Sequence, residues 1–158
     1  MTKLDTKFIT PFVHATRDVL SMMASINAAA QKPTVTKNPA PYGDIVSIMP
    51  MRAEQLQGQL AIVFTQSALL AITSKMIMEE CTELDQLVLD TAGEITNIVT
   101  GQAKAKLMDN GYSFDMAQPK TFTEADFGNI TLVGSRRIIV PFHIDAGNFF
   151  VDLGFDAV

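Results

Sequence analysis

The sequence predicts an α+β fold, in which two long helices and a shorter one pack on a mostly antiparallel β-sheet. Three observations lead there. Apolar residues recur at three- and four-residue steps through two long stretches, residues 5–30 and 83–109, which is the period of a helix with one buried side. Short runs of β-branched and aromatic residues follow each stretch, as strands require. Turn-forming residues separate the last of these runs closely enough for hairpins, so consecutive strands lie antiparallel.

The elements follow in order. The first helix, 5–30, places Phe8, Phe12, Ala15, Val19, Met22, Met23 and Ile26 on its apolar side, with the two methionines read as core filling. Pro11 within it either lies in the first turn or kinks the helix. Residues 31–43 hold Pro33, Pro39, Pro41 and Gly43 and read as a connector. Strands are expected at 44–49 and 55–64, the second rich in Leu60, Ile62, Val63 and Phe64, with a turn over 50–54 between them. A shorter helix at 66–78 carries Leu69, Leu70, Ile72, Met76 and Ile77 on a broad apolar side.

The second long helix opens at Thr82 and Asp85, which resemble a capping box, and stops at Asn110-Gly111. Leu84, Val88, Ala92, Ile95, Val99 and Ala103 form its buried stripe. Asp90, Glu94, Asn97 and Gly101 lie roughly opposite, at about 100° per residue, and therefore face outward. Beyond Gly111, strands are expected at 112–117, 130–133, 137–143 and 149–155. Phe127-Gly128-Asn129, Gly134-Ser135 and Asp145-Ala146-Gly147-Asn148 separate them, which gives a terminal antiparallel meander. Pro141 argues for an edge strand or a bulge. A coarse echo, a long helix and then extended segments, occurs at 5–64 and again at 83–155. Around Ser21, Ser25 and Asn27 the first helix has no matching glutamate and asparagine.

Composition bounds the function. The chain has 158 residues, 47% hydrophobic and 18% charged, enough for one domain over 1–158 with a well-buried core. Net charge is −5, and Lys and Arg are scattered apart from Arg136 and Arg137, so no nucleic-acid partner is expected. Cys81 is the only cysteine, and His14 and His143 are far apart. An internal disulfide is excluded and no metal site is expected. There is no signal-peptide core and no stretch of about 20 apolar residues. A cytoplasmic location away from membranes is the expectation.

The chemistry concentrates on the outward stripe, spaced Asp90-x3-Glu94-x2-Asn97 and then, after 21 residues, Pro119. A polar stripe on a helix is ordinarily a solvated face. Asn97, however, is a poor interior helix residue, because its side chain competes for backbone hydrogen bonds. Gly93 and Gly101 each cost about 1 kcal/mol relative to Ala. Together they suggest a helix surface cleared for a close partner.

The full spacing resembles the signature of the CheC/CheX class of chemotaxis phosphatases: Asp or Ser, Glu, Asn and Pro at these separations. The order of helices and strands resembles that class over nearly the whole chain. One Glu-x-x-Asn resembles its single-site CheX branch. The resemblance implies hydrolysis of the aspartyl-phosphate on a phosphorylated CheY-like response regulator. Asn97 would orient the attacking water, since a carboxamide both accepts and donates while staying neutral. Glu94 would dock against the receiver's active-site lysine. Asp90 supports Glu94, touches the partner or is simply exposed. Pro119 shapes the strand or loop beside the helix. Gly93 and Gly101 either admit a partner or serve helix packing. No cofactor is expected on this chain; Mg2+ would come with the receiver. A homodimer joined through the sheets is implied as well. The alternatives are a non-catalytic receiver-binding or flagellar-switch-like module and, third, a metal or small-molecule enzyme, for which the sequence has no ligand cluster.

Overall fold

The first helix, α1 (Thr6–Ala24), runs through Pro11 without ending. A proline lacks the N–H that would bond to the carbonyl four residues back. That carbonyl, of Lys7, instead accepts from the Asn110 side-chain amide at 3.3 Å. The missing donor thus ties the start of α1 to the end of the second long helix. The computed structural model describes residues 6–36, 43–134 and 137–158. Residue 5, Pro39, Pro41, Ser135 and Arg136, which figure in the expectations above, lie outside the described residues.

Short strands β1 (Ala29–Ala30) and β2 (Thr34–Thr36) precede the hairpin of β3 (Ile45–Arg52) and β4 (Leu56–Phe64). Helices α2 (Gln66–Ile77) and α3 (Gln86–Asp109) follow. Then come β5 (Asp115–Met116), β6 (Lys120–Thr123), a 3-10 helix (Glu124–Asn129) and the hairpin of β7 (Arg137–Ile144) and β8 (Gly147–Ala157). The fold is α+β, with three α-helices among the described residues packed on an antiparallel sheet, as the sequence predicts.

The sheet order is β1-β7-β8-β4-β3-β5, with β2 also on β7 and β6 also on β3. Each half of the chain therefore supplies a helix, a broken outer strand and a hairpin, and each outer strand pairs with the other half's hairpin. The echo in the sequence is a structural repeat. It extends to the prolines, for Pro33 and Pro119 both end the three-residue break in an outer strand. Pro50 and Pro141 occupy the matching place in the inner strands, paired with Gln59 and Phe150. Both face the breaks: Pro141 O accepts from Gln31 N at 2.8 Å and Pro50 O from Ala117 N at 3.5 Å. A residue's N–H and C=O share one side of a strand, so the donor each proline lacks points at a gap.

Several expectations are corrected here. Pro50 belongs to a strand rather than a turn; Ala53 N donates to Leu56 O at 2.8 Å and closes a tighter hairpin. Pro141 marks neither an edge strand nor a bulge, because β7 is paired on both sides. The first helix ends at Ala24, where Ser25 turns left-handed at φ 53. Met22 is 75% exposed and fills no core. The strand expected at 112–117 shrinks to β5, and β6 and the 3-10 helix occupy part of what reads as loop.

No strand forms at 130–133. Its place is taken by side-chain chemistry: the buried Gln59 amide donates to Val133 O at 2.9 Å and accepts from Val133 N at 3.0 Å, as a neighbouring backbone would. Ile130 and Leu132, with Phe127, then cover Val46, Ala61 and Val63 on the face of the sheet away from the helices. The main core lies on the other face. There Phe8 meets Phe155 at 5.0 Å between ring centroids, and Phe12, Leu60, Val99 and Leu153 are fully enclosed.

Gly58, in the central β4, needs its bare Cα. A Cβ there would run into the Gly154 carbonyl oxygen and lie 2.7 Å from Phe155 Cα, both main-chain atoms of β8. Gly58→Ala is expected to cost about 3 kcal/mol through this overpacking, lowering the Tm by about 6–12 °C at this chain length. A thermal melt checks it.

Candidate functional site

Helix α3 carries the stripe, and its ends are firmly set. Its N-cap is Asp85, whose carboxylate accepts from Val88 N at 3.0 Å, a cap of the ordinary kind. The capping-box pairing of Thr82 with Asp85 does not form that boundary, since the helix begins one residue after Asp85. At the other end Asn110 N donates to Leu107 O and Met108 O, and Gly111 follows at φ 90.

The buried side of α3 is wider than the apolar pattern implies. Thr91, Thr96 and Thr100 are enclosed with Val88, Ala92, Ile95, Val99 and Ala103. Each threonine hydroxyl donates to a carbonyl of its own helix: Thr91 to Leu87 O and Thr96 to Ala92 O, both at 2.9 Å, and Thr100 to Thr96 O at 2.8 Å. A hydroxyl satisfied within its own helix needs no partner on the sheet, so these polar residues enter the core at little cost. The apolar stripe read from the sequence does not include them.

Opposite them, Asp90, Glu94, Asn97 and Gly101 are all exposed, as the spacing predicts. Gln86 Nε2 donates to Asp90 Oδ1 at 2.7 Å, which holds that carboxylate against the first turns of the helix. Among the described residues the Glu94 carboxylate and the Asn97 carboxamide have no side-chain hydrogen bond or ion pair. Thr100 Oγ1 donates to Asn97 O at 2.9 Å, so the backbone under Asn97 is engaged while its amide is free. A carboxylate and a carboxamide three residues apart on a helix lie side by side. They form a rigid pair presented outward.

Pro119 is brought alongside this pair. It sits in the break between β5 and β6, and a Cβ on Gly93 would lie 3.9 Å from Pro119 Cγ and 3.4 Å from Thr121 Oγ1. The long sequence spacing thus brings Pro119 close to Gly93, the residue before Glu94. The two glycines now separate. Gly93 packs under its own chain, whereas a Cβ on Gly101 would meet nothing within 4 Å.

The face is a ridge of helix. A groove of about 640 Å3 runs beside it between α1 and α3, lined by Lys7, His14, Asp18, Gln102 and Lys106 among others, and neither Glu94 nor Asn97 lines it. Among the described residues no group of three or more His, Cys, Asp or Glu could hold a metal ion. No described helix is long and apolar enough to cross a membrane.

Comparison with known proteins gives a consistent picture. The family described as chemotaxis phosphatase CheX matches residues 45–143. The crystal structure of chemotaxis protein CheX from Vibrio vulnificus is similar at 35% identity and a TM-score of 0.85, covering 96% of this chain and 100% of that one. A CheC-like superfamily protein from Shewanella sp. PV-4 reaches 33% identity and a TM-score of 0.85, covering 96% of this chain and 99% of that one. The CheX of a CheX-CheY-BeF3-Mg2+ complex from Borrelia burgdorferi shares the fold at 24% identity and a TM-score of 0.79, covering 97% and 99%. Among curated proteins, none matches significantly.

Proposed function

The chain belongs to the CheX family of chemotaxis phosphatases, and from that premise we propose that it hydrolyses the aspartyl-phosphate of a CheY-like response regulator. In this reading the receiver brings most of the reacting site. Water attacks phosphorus in line with the aspartyl oxygen; the P–O bond to the carboxylate breaks and its electron pair leaves with that carboxylate. The water's oxygen stays on the phosphate and its proton passes to phosphate or solvent. Such a transfer needs chiefly positioning and charge stabilisation.

Asn97 supplies the positioning. Its carboxamide oxygen accepts a hydrogen bond from the water, its NH2 donates toward phosphoryl oxygens, and it adds no charge beside a group already anionic. Glu94, adjacent on the same exposed face, anchors the receiver's active-site lysine and fixes register through a charge-assisted hydrogen bond. Asp90, held by Gln86, supports that docking edge, and Pro119 and Gly93 set the wall beside it. Mg2+ held by the receiver would neutralise phosphoryl charge. The chain acts in the cytoplasm, as a single domain and as a homodimer.

The observation that carries this reading is the exposed, unpaired Glu94 and Asn97 on one face of a capped helix, with Pro119 close to Gly93 beside Glu94 in the chain. The relative from Borrelia burgdorferi was captured with CheY, BeF3 and Mg2+, which supports a receiver as the partner. The test is phosphate release from phosphorylated receiver domains of the same genome, with and without the chain. Faster release from at least one is expected; binding with no change in release rate would instead favour a non-catalytic docking module.

A further inference from the structure

Helix α3 leaves two large apolar side chains in solvent, Leu87 at 49% and Met108 at 57% exposure. Both fall on the line of Glu94: Leu87, Glu94, Gly101 and Met108 are each seven residues apart, and seven residues return to within about 20° on an α-helix. Asp90 and Asn97, also seven apart, form the neighbouring line. The polar pair is therefore bracketed, on its own ridge, by the two apolar side chains this helix exposes. Between Asn97 and Met108 lies Gly101, where a Cβ would meet nothing within 4 Å, so that no described residue gives a reason for its lacking a side chain.

Interface dimensions say what covers these residues. A specific complex buries about 800 Å2 per partner, a disc of about 16 Å radius. At 1.5 Å rise per residue, Leu87 is about 10 Å from Glu94 and Met108 about 16 Å from Asn97. A partner centred on the pair must lie over Leu87 and Gly101; Met108, about 19 Å from the midpoint of the pair, falls at the rim, within reach of a slightly larger or off-centre footprint. We propose that Leu87 and Met108 are the apolar anchors of the receiver-docking face, and that the receiver's main chain comes closest at Gly101. This rests on the reading of the chain as a receiver phosphatase. It adds that apolar contacts at both ends of the ridge contribute to affinity and to choice of receiver, alongside the Glu94 contact and apart from the hydrolytic step.

The test uses the full chain and a CheY-type receiver of the same genome, with two readouts: Kd for the receiver loaded with beryllium fluoride and Mg2+, and KM and kcat for phosphate release. The double variant Leu87→Ser/Met108→Ser is expected to raise Kd and KM about tenfold with kcat within about twofold. Val133→Ser, on the opposite face of the sheet, should change neither. Gly101→Ala should raise the Tm by about 2–4 °C and still weaken Kd, a pair of effects that a purely structural glycine would not give. Unchanged Kd in both the double variant and Gly101→Ala overturns the proposal. A wild-type chain that binds, with affinity lost in these variants, but releases no phosphate upholds the docking face and sinks the catalytic reading; a wild-type chain that neither binds nor releases sinks both.

Discussion

Asn97→Ala is expected to lower kcat for phosphate release by at least about a hundredfold while KM, receiver affinity and Tm stay close to those of the wild type. Removing one preorganised group aimed at the reacting centre typically costs about 100- to 1,000-fold. Asn97 is exposed on α3, so nothing in the core is lost, and Ala is the better helix former. A fall in kcat without a rise in KM marks a group that acts in the transition state. Asn97→Gln keeps the amide but moves it one methylene farther, and a misplacement of about 1 Å alone can cost a hundredfold. Gln should therefore rescue little. Steady-state kinetics beside a binding titration separate these effects, and an Asn97→Ala enzyme with wild-type kcat would remove Asn97 from the chemistry.

Glu94→Ala should act on the other parameter. A carboxylate paired with a lysine in a desolvated interface leaves that lysine buried and unpaired when truncated, at a cost of about 2 kcal/mol or more. This corresponds to a rise of about 30-fold or more in KM and in Kd for the beryllofluoride-loaded receiver. Glu94 has no ion pair within the described chain, so the Tm should not fall. Glu94→Gln, which keeps the shape and loses the charge, should fall between. Wild-type affinity should weaken with added salt through slower association, and the Glu94→Ala complex should lose part of that dependence. Equal affinity for Glu94→Ala and wild type would place the docking contact elsewhere.

What was legible in the sequence, and what was not, follows from where each residue's partners lie. The long helices and the terminal hairpin were readable because their periods are local: Val88, Ala92, Ile95, Val99 and Ala103 repeat as a helix must, and they are buried. The outward face of Asp90, Glu94 and Asn97 follows from the same wheel. Pro50 and Pro141 misled because a proline is tolerated in an inner strand when the strand opposite is broken, and that break belongs to the other half of the chain. Residues 130–133 have the composition of a strand, yet Gln59, 74 residues from Val133, caps their backbone with its side chain. Thr91, Thr96 and Thr100 are missing from the stripe read from the sequence because the carbonyls that satisfy them do not show in a hydropathy pattern.

The site divides along the same boundary. Its residue types and spacing are local to α3 and were visible. That Pro119 lies close to Gly93, that Gly101 stands clear of the other described residues, and that Leu87 and Met108 remain exposed are consequences of packing. Gly93 and Gly101 look alike in sequence; a Cβ on the first would reach ordinary contact with Thr121 and Pro119, whereas one on the second would meet nothing among the described residues.

The most direct measurement is release of inorganic phosphate from a phosphorylated CheY-type receiver held in large excess over the chain, with Mg2+ present. Many turnovers per chain, at a rate proportional to chain concentration and lost in Asn97→Ala, are the expected result. A release rate identical with and without the chain, at concentrations where the beryllofluoride-loaded receiver is bound, would contradict hydrolysis at the Glu94 and Asn97 face.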